Sequence, residues 1–130
     1  MKNPLSVNEF KILELIWTEG RALSRPEIIE LTPDKDWNPN SIHLILNNMI
    51  EKGVLKVDGM TRCGRGYGRT YAATMSRAEY AARQVRQATH NMSGGDRLVE
   101  VLRAMLDLET VDAATLERLQ GVLDERKKTI

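Results

Sequence analysis

Between Trp37 and Gly53 the chain writes out one helix almost completely, and every other element has to accommodate it. Asn38 is a good N-cap, and Pro39 takes the first helical position, where a missing N–H costs nothing. Gly53 suits the left-handed backbone that ends helices. Ile42, Ile45, Leu46, Met49 and Ile50 fall at i, i+3, i+4, i+7 and i+8, which is one buried stripe. The opposite face presents Asn40, Leu44, Asn47, Asn48 and Glu51, flanked by Ser41 and His43. Such a face, rich in amides and with one leucine, suits a helix that reads base edges. A plain solvated surface is the alternative reading of this helix alone.

The flanking segments place that helix in a larger unit. Leu5-Ser6-x-x-Glu9-Phe10 combines a capping box with a hydrophobic staple, and the helix it opens runs through Leu13, Ile16 and Trp17 to Gly20. Arg21-Ala22-Leu23 is long enough only for a small strand. Leu23-Ser24-x-Pro26-Glu27-Ile28 repeats the device, and Pro33 ends that second helix. The polar turn 32–36 then leads into helix 38–52, giving a helix-turn-helix arrangement.

After Gly53, Val54–Val57 and Thr70–Thr74 read as two strands. Between them, Gly59, Gly64, Gly66 and Gly68 predict a mobile hairpin tip over 58–69. Lys56, Arg62, Arg65 and Arg69 face only Asp58 in this stretch, so the tip is basic and suits a phosphate backbone or a narrow minor groove. A reader helix followed by a basic hairpin is the winged-helix plan. The glycines match neither a Walker loop nor a dinucleotide fingerprint.

Met75-Ser76-x-x-Glu79-Tyr80 opens another helix, predicted from Arg77 to about Asn91, and Ser93-Gly94-Gly95-Asp96 breaks and re-caps the chain. The fifth helix carries Leu98, Val101, Leu102, Met105 and Leu106 on one side. Asp112 caps a sixth, with Leu116, Leu119, Val122 and Leu123 as its stripe. A small winged-helix body already using its own core cannot cover these leucines, and the same helices of a second chain can. An intramolecular helical hairpin is the other solution.

Composition narrows the function classes. A chain of 130 residues with 42% hydrophobic and 5% aromatic content reads as one domain with an appended helical piece. No apolar run reaches the ~18 residues of a membrane span, and no signal-peptide pattern precedes Ser6. The single Cys63 excludes an internal disulfide and fits a reducing cytoplasm. His43 and His90 lack metal-ligand spacing, and no nucleophile–base pair stands out, so the expectation is a non-enzyme without metal or cofactor.

These landmarks carry a family resemblance. Leu5-Ser6-x-x-Glu9-x-x-Ile12-Leu13-x-x-Ile16-Trp17, Glu27-Ile28, and Ser41-Ile42-x-x-Ile45-Leu46-x-x-Met49-x-Glu51-Lys52-Gly53-Val54-Leu55 resemble the penicillinase-repressor family of bacterial transcription regulators. The resemblance implies a homodimeric repressor that binds an inverted repeat, with TACA and TGTA elements favoured among similar repressors. A sensor protease is a further partner on the same resemblance. The β-lactam-responsive members are cut at an Asn–Phe bond, and the matching bond here is Arg103–Ala104. The paired Cys-x-Cys motifs of the copper-responsive members are missing, and positions 40, 43 and 48, often Lys or Arg, are Asn40, His43 and Asn48.

The expected fold is therefore mainly α with a small β-hairpin: a winged helix-turn-helix over 1–75 and a helical dimerisation region over 76–130. Expected DNA contacts are Asn38, Asn40, Ser41, His43, Leu44, Asn47, Asn48, Arg62, Arg65 and Arg69. The rival function is a dimeric winged-helix interaction module that does not touch DNA.

Overall fold

The computed structural model describes residues 4–130, so the first three residues of the expected 1–75 domain lie outside the described residues. In order, the elements are α1 (Val7–Glu19), β1 (Leu23–Ser24), α2 (Arg25–Glu30), a 3-10 turn (Pro39–Ser41), α3 (Ile42–Glu51), β2 (Leu55–Cys63), β3 (Gly66–Ala73), α4 (Arg77–Ala88), α5 (Gly94–Leu108) and α6 (Ala113–Lys128). The three strands form one antiparallel sheet in the order β1-β3-β2. The fold is mainly helical, with the winged-helix order of elements over its first half. One compact unit ends at Ala88, and the second is Thr89–Ile130.

Local chemistry decides the helix starts. Ser6 accepts from the Glu9 N–H at 3.2 Å while Glu9 accepts from the Ser6 N–H at 2.8 Å. Ser24 and Glu27 repeat the exchange at 3.3 and 3.0 Å. Each box satisfies two N–H groups that the first helical turn leaves without partners. Asn38 caps as expected, its Oδ1 accepting from the Asn40 N–H at 2.9 Å, but the first turn behind it is 3-10 and the α-helix begins only at Ile42. Gly53 follows α3 with φ 81°, a left-handed conformation that a side chain would strain.

The core of the first unit joins all these elements. Ile12, Leu13 and Ile16 of α1 meet Leu23, Ile28 and Trp37, then Ile42, Leu46 and Met49 of α3, with Val54, Leu55, Tyr71 and Met75 closing it. Of the predicted α3 stripe, Ile45 and Ile50 are half-buried at its margin. α4 attaches through aromatic packing: Phe10, Trp17 and Tyr80 lie with ring centroids 5.7–6.3 Å apart. Trp17 Nε1 also donates to the Met75 carbonyl at 2.9 Å. α4 stops at Ala88, short of the predicted Asn91.

Two expectations about the hairpin change. The strands are longer than the segments 54–57 and 70–74, and the tip is no loop. β2 and β3 pair in register from Leu55↔Ala73 to Cys63↔Gly66, with one bulge between Val57 and Gly59. Besides Asp58 in the bulge, only Gly64 and Arg65 lie outside the ladder. Gly64 has φ 59° and no other residue here has positive φ, as in a type II′ turn, whose twist suits paired strands. Gly64 serves a tight turn, Gly59 adjoins the bulge, and Gly66 and Gly68 are paired within β3, so the wing is built as a ribbon.

One ion pair fixes the end of α3. Lys52 Nζ donates to Glu9 Oε1 at 2.6 Å and to the Pro4 carbonyl at 3.0 Å, and Glu9 is 4% exposed. Burial pushes the Glu9 carboxyl up, but the Lys52 hydrogen bond and charge together with the Ser6 bonds outweigh it and hold it below its ordinary value of 4.5. A carboxyl lowered in the folded state adds stability that is fully present above pH 4.5 and fades as pH falls through the lower folded value. Glu9→Ala is expected to lose about 2–3 kcal/mol near neutrality, since it removes a capping box and leaves Lys52 facing a buried site. Urea titrations should show the gap to the unmutated protein narrowing progressively as pH falls below 4.5. A gap constant across that range would mean that the pair does not act.

Candidate nucleic-acid interface

α3 turns its unburied side outward from the core. Asn40, His43, Asn47, Asn48 and Glu51 are exposed, Ser41 is half-buried, and Leu44 is 64% exposed. An isolated leucine left in water is unremarkable alone, but here amides border it on both sides. Asn38 has engaged its carbonyl oxygen in the cap, which leaves its amide nitrogen to donate. The sequence-based reading of this face and the structure therefore agree on which residues share it.

The wing supplies the second half. In an antiparallel ladder, paired residues share a face and alternate positions repeat it. Arg62↔Tyr67 and Met60↔Arg69 place these four side chains on the face that continues from buried Tyr71. Arg65 sits in the turn. Arg62, Arg65 and Arg69 are exposed, and none forms an ion pair among the described residues. Several acids of the first unit pair with other cations instead, as where Arg21 takes Glu27 at 2.6 Å and Arg77 takes Glu14 at 3.6 Å.

Between α2, α3 and the wing lies a cleft of about 480 Å³, and a second one adjoins it. Both are lined by Arg25, His43, Tyr67, Gly68 and Arg69, and neither contains a carboxylate. Arg25 bonds the His43 ring through its guanidinium. Asn40 lines the first cleft and Asn47 the second, so amides from α3 and cations from two other elements open onto one surface.

Three residues of this surface escaped the sequence reading. Arg25 follows the N-cap Ser24 and carries no signal of its own in the sequence. Tyr67, 74% exposed, and Met60, 63% exposed, belong to a segment taken as a loop, where no face is defined. The β-register reveals Tyr67 and Met60, and the crossing of α2 and α3 reveals Arg25.

The described residues contain no group of His, Cys, Asp and Glu able to hold a metal ion, and no helix is long and apolar enough to cross a membrane. The family model described as penicillinase repressor matches residues 5–125. The chain belongs to the penicillinase repressor family. It is a DNA-binding transcriptional regulator, and the membership speaks against an enzyme. The match extends into both compact units.

The chain is 26% identical over 127 residues to the uncharacterized 16.5 kDa protein in the ptsI 3′ region of Latilactobacillus sakei, covering 98% of this chain and 83% of that protein. Among solved structures it is similar to one described as the mechanism for regulation of DNA binding of Bordetella bronchiseptica BpsR by 6-hydroxynicotinic acid. The TM-score is 0.45 at 16% identity, over 85% of this chain and 79% of that one. A MarR family regulator from Neisseria meningitidis, NMB1585, gives a TM-score of 0.42 at 18% identity, over 94% and 81%.

The second unit has a different character. Among Thr89–Ile130 no residue is buried. Leu98, Met105, Leu116, Val122 and Leu123 are exposed, and Val101, Leu102, Leu106 and Leu119 are half-buried. Asp112 Oδ1 accepts from the Thr115 N–H at 2.8 Å, capping α6 as expected.

Proposed function

We propose that the protein is a homodimeric repressor that binds an A·T-containing inverted repeat, with α3 in the major groove and the wing on the adjoining strand and minor groove. The winged helix, 1–75, binds DNA, and the helical region, 76–130, dimerises. One observation carries this reading: an amide-rich helix face opens onto the same surface as three wing arginines without acidic partners. Asn40 and Asn47 can each pair bidentately with adenine N6 and N7, and Leu44 can pack on a thymine methyl. No Arg or Lys of α3 faces outward to take the guanine pair, so the central contacts are A·T pairs. Asn38, Ser41, His43 and Asn48 border them.

A selection from random duplex DNA, followed by anisotropy titration against salt, tests this. The expected consensus has A·T-centred half-sites about one helical turn apart or a multiple of that. Asn40→Ala should relax preference at one A·T pair by roughly 1–3 kcal/mol while leaving non-specific affinity nearly unchanged. G·C-centred half-sites, or no consensus, would overturn the assignment of this face. An absence of binding at low salt would overturn DNA binding itself and favour a protein-interaction module.

A further inference from the structure

A helix in the major groove and a wing on the next minor groove must straddle the phosphate strand that separates the two grooves. The carboxylate-free cleft lies between those two elements, bordered by α2. Arg25 enters it from α2 and Arg69 from β3, and neither forms an ion pair with an acid among the described residues. Arg25 is only half-exposed and rests against the His43 ring, so its guanidinium is already positioned and loses little freedom on binding.

We propose that this cleft seats one phosphate of the intervening DNA strand, clamped between Arg25 and Arg69, with the Tyr67 hydroxyl as a third donor. Arg25 is thus a DNA-contacting residue outside both the reader helix and the wing. Guanidinium groups suit this task because their forked N–H donors match phosphate oxygens two at a time. A phosphate contact fixes register without reading sequence, so Arg25 sets where α3 sits in the groove and α3 does the reading. The inference rests on the DNA-binding function proposed above.

The test uses the full-length protein and a labelled duplex recovered by selection from random DNA. Arg25→Ala should weaken binding to all duplexes alike and flatten the slope of log K against log salt by about 0.9. Between about 50 and 200 mM salt, its deficit against the unmutated protein should therefore shrink roughly 3-fold. Arg25→Lys, which keeps the charge but loses the fork, should restore the slope with partial affinity. Replacing single phosphates by neutral methylphosphonates adds the deciding measurement. One position should weaken the unmutated protein clearly more than it weakens Arg25→Ala, in which only Arg69 and Tyr67 still hold that phosphate.

An unchanged slope for Arg25→Ala, with preference lost at one base pair, would overturn the clamp and make Arg25 a base reader. Additive effects of Arg25→Ala and every methylphosphonate would overturn it as well. Failure of the unmutated protein to bind any duplex would strike the DNA-binding function instead. Far-UV circular dichroism and the urea midpoint should be nearly unchanged in Arg25→Ala, because only its exposed bond to His43 is lost; a large fall in the midpoint would overturn the clamp by tracing the lost affinity to the fold.

Discussion

Aspartate at both Leu102 and Leu119 is expected to turn a dimer into monomers at concentrations where the unmutated protein shows no monomer by light scattering. The two leucines lie on α5 and α6, whose apolar side chains are at most half-buried within Thr89–Ile130. Leu98, Val99, Leu102, Leu106 and Leu123 line an open groove of about 510 Å³, walled almost entirely by carbon. An exposed patch of this kind on a regulator's C-terminal helices fits a self-complementary interface, and a two-fold axis buries each substituted position twice. Burying an unpaired carboxylate costs several kcal/mol, so four of them exceed the free energy that holds an ordinary dimer together. The double variant should keep its helices, because both positions are partly open within one chain.

The effect on DNA follows from geometry. Two linked winged helices bind an inverted repeat with the second contact made at high effective concentration, and monomers lose this advantage. Operator affinity should fall by roughly 100-fold or more, while binding to a single half-site should hardly change. A unmutated protein that scatters light as a monomer would overturn the dimer outright. A dimer that survives both aspartates would place its interface elsewhere.

What the chain discloses in advance depends on how far apart the cooperating residues stand. The boxes at Ser6/Glu9 and Ser24/Glu27 need partners three residues away, so they are legible from spacing and appear as read. The α3 stripe and its amide face are also local, since a 3.6-residue period assigns both sides at once. The wing was misread because strand pairing joins residues across a turn, and four glycines within ten positions mimic a flexible loop. Near the tip both sheet faces meet solvent, so β2 and β3 show no apolar alternation there to betray the strands. Arg25 was missed for a stronger reason. Its place beside His43, 18 residues away, is a product of how α2 and α3 cross. The start of α2 can be read from Ser24 and Pro26, but the company its first side chain keeps cannot.

The ribbon form of the wing raises the stakes of its arginines. Replacing Arg62, Arg65 and Arg69 together by Ala is expected to weaken binding to every duplex, with the slope of log K against log salt flattening by about 2.7, or 0.9 for each phosphate contact. A floppy tip would lose much of its binding energy to ordering, whereas a paired hairpin closed by the Gly64–Arg65 turn presents its cations already placed. The loss at physiological salt should reach roughly two orders of magnitude. Stability should barely move, since none of the three pairs with an acid among the described residues. Arg65, alone at the turn, is the one able to enter a narrow A·T-rich minor groove, where the negative potential is deepest. Restoring Arg65 by itself should therefore recover preference for A·T-rich flanks as well as one contact's worth of slope. Lysine at all three positions should recover the slope but less of that preference, because a compact ammonium keeps its water more firmly than a guanidinium. An unchanged salt slope in the triple alanine variant would mean that the wing points away from DNA. The ribbon would then serve the fold alone.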